Sequence, residues 1–543
     1  MKITVVKAVV AAVLAFCLPT TVVCPTALGD EKVILTPKPG PEPSINGPSV
    51  FGARPDRPFI YRIPCTGERP MEFAAKNLPA ALALDAASGI ISGRVPKQPG
   101  QYAVTLGATN ARGSAKRSLK IVVGDTLALT PPMGWNSWYI HYHRVTGKVM
   151  RQGADQMIDS GMADFGYMYV NIDDCWMRIL PERYQQVKQR FGEFDMKGVM
   201  GSTRDAEGNV LPNENFPDMK AMTDYIHAKG LRAGIYTSPG PRTCQQYEGS
   251  YRHERRDARQ YAAWGFDFLK YDWCTYGQEV YRQRMKETGN DLLEKKRPYQ
   301  QMGDILKGLD RDIVLNLCQY GMNDVWRWGA EIGGHCWRTT GDLGLARDTQ
   351  LPGFYHIGLS NARHWKFAKP GAWNDPDYIL IGWVGQARGH GIGKETTLTG
   401  DEQYGYMSMW CLMASPLVFS GDMAKLDEFT LNVLCNAEVI EIDQDPLGKQ
   451  AEPIVQTDTT LILAKQMQDG SLALGLFNLG QSERSISATW QQLGLTGKQR
   501  VRDVWRHEDL GDVDGEYQAS VPPHGVKLVR LRQASAGLRF EDR

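Results

Sequence analysis

The sequence predicts a multidomain chain: an N-terminal β-sandwich module, a central (β/α)8 TIM barrel and a C-terminal antiparallel β-sandwich. Three observations predict it. The 543 residues exceed what one core can serve, and at roughly 150 residues per domain they imply three or four domains. Period-two alternation of apolar and polar residues marks both ends of the chain. Between them, short apolar runs alternate with amphipathic helical patterns over 126–447.

Residues 1–29 read as a secretory signal. Lys2 and Lys7 precede an apolar run over 8–18, closed by Pro19, with small residues at Ala27 and Gly29. That run is too short to span a bilayer, which takes about 20 residues. Cys24 follows two valines, so a lipid anchor is not expected.

Residues 30–125 form the first β-module, with a Pro- and Gly-rich lead-in over 30–50. Tyr102, Val104, Leu106 and Ala108 alternate with smaller or polar residues, as do Leu119, Ile121 and Val123. The stretches 78–85, 88–93, 100–105 and 108–113 resemble the immunoglobulin-like modules attached to many secreted bacterial enzymes. Such a module binds carbohydrate or a surface, or acts as a spacer packed on the main domain; the spacer is expected here.

Residues 126–449 form the barrel. Strands are predicted at 167–172, 231–236, 266–271, 313–317 and 417–419. Met150, Ala154, Met157 and Ile158 share a helical face closed by Gly161; Met219, Met222 and Ile226 share another, opened by Pro217 and closed by Gly230. Residues 450–533 return to alternation at 461–463, 472–477, 486–490, 501–505 and 526–531, which reads as a closing sandwich, and 534–543 as a frayed tail.

Composition narrows the function. With 62 Lys+Arg against 61 Asp+Glu, the net charge of +1 offers no basic surplus for nucleic acid or an anionic membrane. Apolar and charged shares of 42% and 23% are ordinary globular usage. Export would place the cysteines in an oxidising compartment, where disulfides persist. No Cys or His cluster has zinc-like spacing, and Cys411 and Cys435 sit in apolar helical stretches as buried thiols.

Barrel enzymes place their chemistry where strands end. Five such ends carry unusual polar residues: Met133-Gly-Trp-Asn-Ser-Trp138, Val170-Asn-Ile-Asp-Asp-Cys-Trp176, Leu269-Lys-Tyr-Asp-Trp-Cys274, Cys336-Trp-Arg-Thr-Thr-Gly-Asp342 and Trp373-Asn-Asp-Pro-Asp377. Acidic residues beside tryptophans suit a sugar. Carboxylates bond hydroxyls, and an indole covers the apolar face of the ring. Hydrolysis of a glycosidic bond needs two carboxyls facing the anomeric carbon, and Asp272 and Asp342 are the leading pair. Lys270 shares a strand face with Asp272 and is expected to keep it ionised.

These segments, with 127–138, 234–236 and 414–417, resemble glycoside hydrolase family 27, the retaining α-galactosidases and α-N-acetylgalactosaminidases, in the same order over about three quarters of the chain. The resemblance implies a barrel followed by an antiparallel β-domain and no metal or organic cofactor. It implies Asp272 as nucleophile and Asp342 as acid/base. Asp173 and Asp174 would bind the 4- and 6-hydroxyls of galactose, Lys270 the 3- and 4-hydroxyls, and Arg338 would lie near the 2-hydroxyl. Trp138 would form the aromatic wall, with Tyr236 and Asp377 as further pocket residues and Cys244–Cys274 as a disulfide beside the nucleophile.

Three departures stand out. Gln319 follows Cys318 where the family often has Glu, in the loop facing the 2-substituent. Cys175 has no Cys after Trp138 to join it. Tyr378 replaces an apolar residue at the pocket rim.

The expected protein is an exported, exo-acting retaining α-galactosidase acting on an α-galactoside oligosaccharide, polysaccharide or glycoconjugate. It has no nucleic-acid partner and no membrane span, and its oligomeric state is open, a homo-oligomer included. The alternatives are α-N-acetylgalactosaminidase, β-L-arabinopyranosidase or isomaltodextranase activity within the family, or a non-catalytic carbohydrate-binding protein.

Overall fold

A computed structural model describes residues 32–192, 196–343, 351–385 and 393–534. The signal reading of 1–29 therefore lies outside the described residues, as does the tail reading beyond Ala534.

Eight parallel strands form the central sheet: β1 (Met133–Asn136), β2 (Tyr169–Asn171), β3 (Arg232–Thr237), β4 (Phe268–Asp272), β5 (Val314–Cys318), β6 (Cys336–Arg338), β7 (Trp373–Asp375) and β8 (Leu417–Phe419). Strands β1 to β7 pair in sequence order, β8 pairs with β1, and an isolated parallel bridge from Ile379, beyond β7, to Phe419 joins the two ends of the sheet. Every residue of the eight strands is buried, which is why five of them read as apolar runs, while β1, β6 and β7, short and carrying polar residues, are not among the predicted strands.

The helices between them are set by their caps. In α1 (Gly147–Asp159), Thr146 accepts from the Val149 amide at 3.1 Å and Met150, Ala154 and Met157 are buried. In α2 (Met219–His227), Asp218 accepts from the Ala221 amide at 2.8 Å. Helix α3 (Glu254–Trp264) ends at Gly265, whose φ of +100° a side chain rarely adopts. Helix α4 (Asp291–Lys307) precedes β5 and α5 (Gly353–Ala362) precedes β7. Helix α6 (Gly400–Leu412), opened by a Thr399/Glu402 capping box, is buried along nearly its whole length between the barrel and the C-terminal sheet.

The N-terminal module is a four-stranded sheet facing a three-stranded one, with Val104, Leu106, Leu119 and Ile121 in its core. It docks on the barrel end opposite the strand C-termini. Arg54 bonds Asp312, just before β5, through Nε at 2.5 Å, and also takes the last carbonyls of α4. Arg232, which opens β3, donates to the Ile60 carbonyl at 2.9 Å and lies over the Phe51 ring. The 32–41 lead-in is pinned as well: the Leu35 and Thr36 amides both donate to Asn432, in α7 (Glu428–Leu434).

The C-terminal part is a six-stranded antiparallel sheet packed on a two-stranded one around Leu474, Leu476, Ile486 and Val529. One predicted strand ends sooner than expected. The run at 486–490 stops at Thr489, whose hydroxyl caps a short helix over Trp490–Leu493. Among the described residues no helix is long and apolar enough to cross a membrane.

Candidate active site

A cavity of about 320 Å³ opens where the barrel strands end. Of the ten residues expected there, eight line it: Trp138, Asp173, Tyr236, Lys270, Asp272, Arg338, Asp342 and Asp377. The other two, Asp174 and Gln319, are buried outside the lining.

Asp272 ends β4 and is 5% exposed. Both its oxygens are held by phenols: Tyr320 donates to Oδ1 at 2.6 Å and Tyr236 to Oδ2 at 3.0 Å. Burial pushes its carboxyl above the ordinary carboxylate range, opposed by the Lys270 charge and both phenols, and the nearby Asp342 charge adds to the rise. Lys270 lowers the Asp272 carboxyl by its charge and not by a direct bond. The Lys270 ammonium bonds Asp173 Oδ2 at 2.8 Å, across to β2, and reaches Asp272 only through space. Residues two apart on one strand share a face, but a long side chain ends on whichever acid the neighbouring strand brings closest.

Asp173 is the anchor of that wall. Its Oδ2 also accepts from Asn136 Nδ2 at 3.1 Å and from the Tyr378 hydroxyl at 3.2 Å, while Oδ1 takes the Asp174 amide at 2.9 Å. Burial opposes the charge on Lys270, yet Asp173 beside it holds the ammonium well above its ordinary value. Tyr378, which the sequence marks as a departure, thus enters the cavity as a hydrogen-bond donor, with Lys270 Nζ 4.9 Å from its ring centre.

On the opposite wall Arg338 ends β6. It pairs with Asp377 Oδ2 at 3.0 Å and with Asp342 Oδ1 at 3.4 Å, so a cation does adjoin Asp342. The two carboxylates differ sharply in setting, Asp377 side chain being 1% and that of Asp342 52% exposed. Burial raises the Asp377 carboxyl, with Arg338 pulling it down. Asp377 also accepts from the Tyr139 hydroxyl at 3.0 Å and the Leu343 amide at 2.8 Å. Its φ of +83° is costly for a residue with a side chain, and these bonds hold it there.

Asp174 turns away from the cavity. Its carboxylate accepts the backbone amides of Cys175 at 2.7 Å and Gln245 at 3.0 Å, and burial raises it to about 7. Gln319 spends its Oε1 on the Met322 amide at 2.7 Å, turning its loop back on itself.

Cys244 and Cys274 form a disulfide with Cα atoms 4.6 Å apart, as the resemblance implies. The bridge borders Asp272 and Tyr236: Cys244 Sγ lies 3.7 Å from Asp272 Oδ2, and Cys274 Sγ 3.1 Å from the Tyr236 hydroxyl. With both sulfurs bonded to each other, this cluster offers no thiolate to a metal. Cys175 keeps its thiol, which meets Tyr247.

Sequence reasoning missed Tyr139, Tyr142, Gln245 and Tyr320 as lining residues. Tyr139 and Tyr142 lie one and four residues beyond Trp138, and Gln245 and Tyr320 one and two residues beyond a flagged cysteine, so proximity to a motif was the available signal.

Comparison with known proteins agrees with this architecture. The family described as Alpha galactosidase A matches residues 181–445, its C-terminal beta sandwich domain matches 457–531, and an Ig domain family matches 42–124. The chain is 33% identical over 432 residues to an alpha-galactosidase of Cyamopsis tetragonoloba, covering 79% of this chain and 92% of the relative. It is 32% identical over 427 residues to alpha-galactosidase A of Cellvibrio japonicus, covering 75% and 93%. A solved Bacteroides fragilis structure of the alpha-galactosidase/melibiase type superposes with a TM-score of 0.79 at 34% identity, covering 92% of this chain and 99% of that one.

Proposed function

The chain belongs to the α-galactosidase family, glycoside hydrolase family 27, and from that premise we propose that it removes terminal α-linked galactose with retention of configuration. One observation carries the reading. Of the four carboxyls lining a cavity of about 320 Å³, sized for a single sugar, the two expected to react have opposite settings: Asp272, buried and gripped at both oxygens, and Asp342, half open to solvent.

Those settings suit the two roles. A nucleophile must be fixed and ionised, and the phenols of Tyr236 and Tyr320 hold Asp272 in place and favour its charge. An acid/base must exchange protons with solvent, and Asp342 is the accessible one. In the first step an Asp272 oxygen attacks the anomeric carbon while the bond to the leaving oxygen breaks, and that oxygen takes the proton of Asp342. In the second, water attacks the same carbon, gives its proton to Asp342, and the bond to Asp272 breaks. Two inversions return the original configuration.

The polar walls supply recognition. Asp173, with Lys270, offers acceptor and donor to adjacent hydroxyls; Arg338 and Asp377 do so on the other side, and Trp138 covers an apolar ring face. The disulfide beside Asp272 supports export to an oxidising compartment. Natural substrates are terminal α-galactosides of oligosaccharides, polysaccharides or glycoconjugates.

A panel of chromogenic glycosides tests the reading. The α-galactoside is cleaved best and Asp272→Ala abolishes cleavage. Asp342→Ala spares activated aryl galactosides most, and azide rescues it with retained configuration but rescues Asp272→Ala with inverted configuration. Preference for another glycoside, or reversed rescue products, would contradict it.

A further inference from the structure

Gln245 lies one residue past Cys244, in the segment between β3 and α3. It lines the cavity and is only 2% exposed, yet its side-chain amide makes no hydrogen bond among the described residues, and its Oε1 is shielded without a partner. A buried amide left in that state is costly to the free protein. The backbone around it is firmly held. Its N–H donates to Asp174 Oδ2 at 3.0 Å, Cys244 is tied to Cys274, and the Thr243 amide donates to the Tyr247 carbonyl at 2.9 Å.

Two other lining residues carry an orphaned buried polar atom, Asp377 Oδ1 and Arg338 Nε. Both belong to the proposed sugar-binding walls. Gln245 shares their condition on the wall beside the disulfide and Asp272. A firmly held backbone that sets an unsatisfied amide in the wall of a polar cavity is a recognition group waiting for its ligand.

We propose that Gln245 is a specificity-determining residue whose amide hydrogen-bonds one hydroxyl of the pyranose in the cavity. A hydroxyl is the fitting partner because it both donates and accepts, as the amide does. The proposal rests on the α-galactosidase reading and deepens it. Asp174 is then a positioning residue, holding the Gln245 backbone while Gln245 reaches the sugar.

The test compares wild type with Gln245→Leu on a chromogenic α-galactoside and on its 2-, 3-, 4- and 6-deoxy analogues. Loss of one neutral hydrogen bond is expected to lower kcat/KM on the parent roughly two- to tenfold. One deoxy substrate that is penalised in wild type should carry no further penalty in the variant, which identifies the hydroxyl. The melting temperature of the free variant should match or exceed wild type, because an unsatisfied polar group has been removed; a merely structural glutamine would lower it. Gln245→Ala serves should the leucine variant not fold. Unchanged kcat/KM on the parent, or the full wild-type penalty on every deoxy substrate, would overturn the proposal. Failure of wild type to cleave any α-galactoside would overturn the reading beneath it, and the proposal with it.

Discussion

The Tyr320 hydroxyl donates to Asp272 Oδ1 at 2.6 Å, on the oxygen opposite the one that Tyr236 holds. This bond favours the ionised carboxylate against the burial that raises its pKa. In Tyr320→Phe the carboxylate loses that donor, so its pKa rises and the acidic limb of the kcat/KM–pH profile moves to higher pH. A hydrogen bond to a charged group is worth about 1.5–3 kcal/mol, so the limb should move by roughly one to two pH units. An unmoved limb with lowered kcat would mean that Tyr320 only shapes the cavity.

Asp174 supplies a pH dependence of stability. Its folded carboxyl is raised to about 7 by burial, against a reference value of 3.8. Between those values the native state holds a proton that the unfolded state has released. The contribution of this group is therefore fully present below about 4 and is lost as pH rises through about 7. Asp174→Asn removes the titration, so the fall in melting temperature from pH 5 to pH 8 should be smaller in the variant. An equal fall in both proteins would contradict the assignment.

The Cys244–Cys274 bridge closes a 30-residue separation and borders both Asp272 and Tyr236. Replacing both cysteines by serine should cost roughly 2–5 kcal/mol in denaturant unfolding. It should also lower kcat more than it raises KM, because the segment that buttresses the nucleophile loosens. Peptide mapping that finds both thiols free in the native protein would remove the basis for this expectation.

How far the site was legible depends on where each residue sits. Asp272 closes the apolar run predicted as a strand at 266–271, which directs it to the barrel mouth, whereas Arg338 ends the three-residue strand Cys336–Arg338, which no apolar run announces, and its role was legible only through the family resemblance. Lys270 was legible as a site residue but not in its partner, since Asp173 stands on β2's continuation and cross-strand distance leaves no trace in a single segment. Asp174 adjoins Asp173 in sequence, yet it turns to the amides of Cys175 and Gln245, because the chain bends at Cys175 with a φ of +76°. Tyr320 and Gln245 reach the cavity from loops and Tyr139 from the single helical turn Trp138–His141, whose paths follow from tertiary contacts and not from any period. Where the N-terminal module docks was not legible either; the Arg54–Asp312 contact places it at the far end of the barrel.

The most direct measurement is mass-spectrometric mapping of the enzyme after reaction with a fluorinated α-galactoside that forms the covalent intermediate quickly and releases it slowly. The account predicts one galactosyl label per molecule, on Asp272, lost on prolonged incubation as activity returns. A label on Asp342 or another residue, or no label from an enzyme that cleaves the same glycoside, would contradict it.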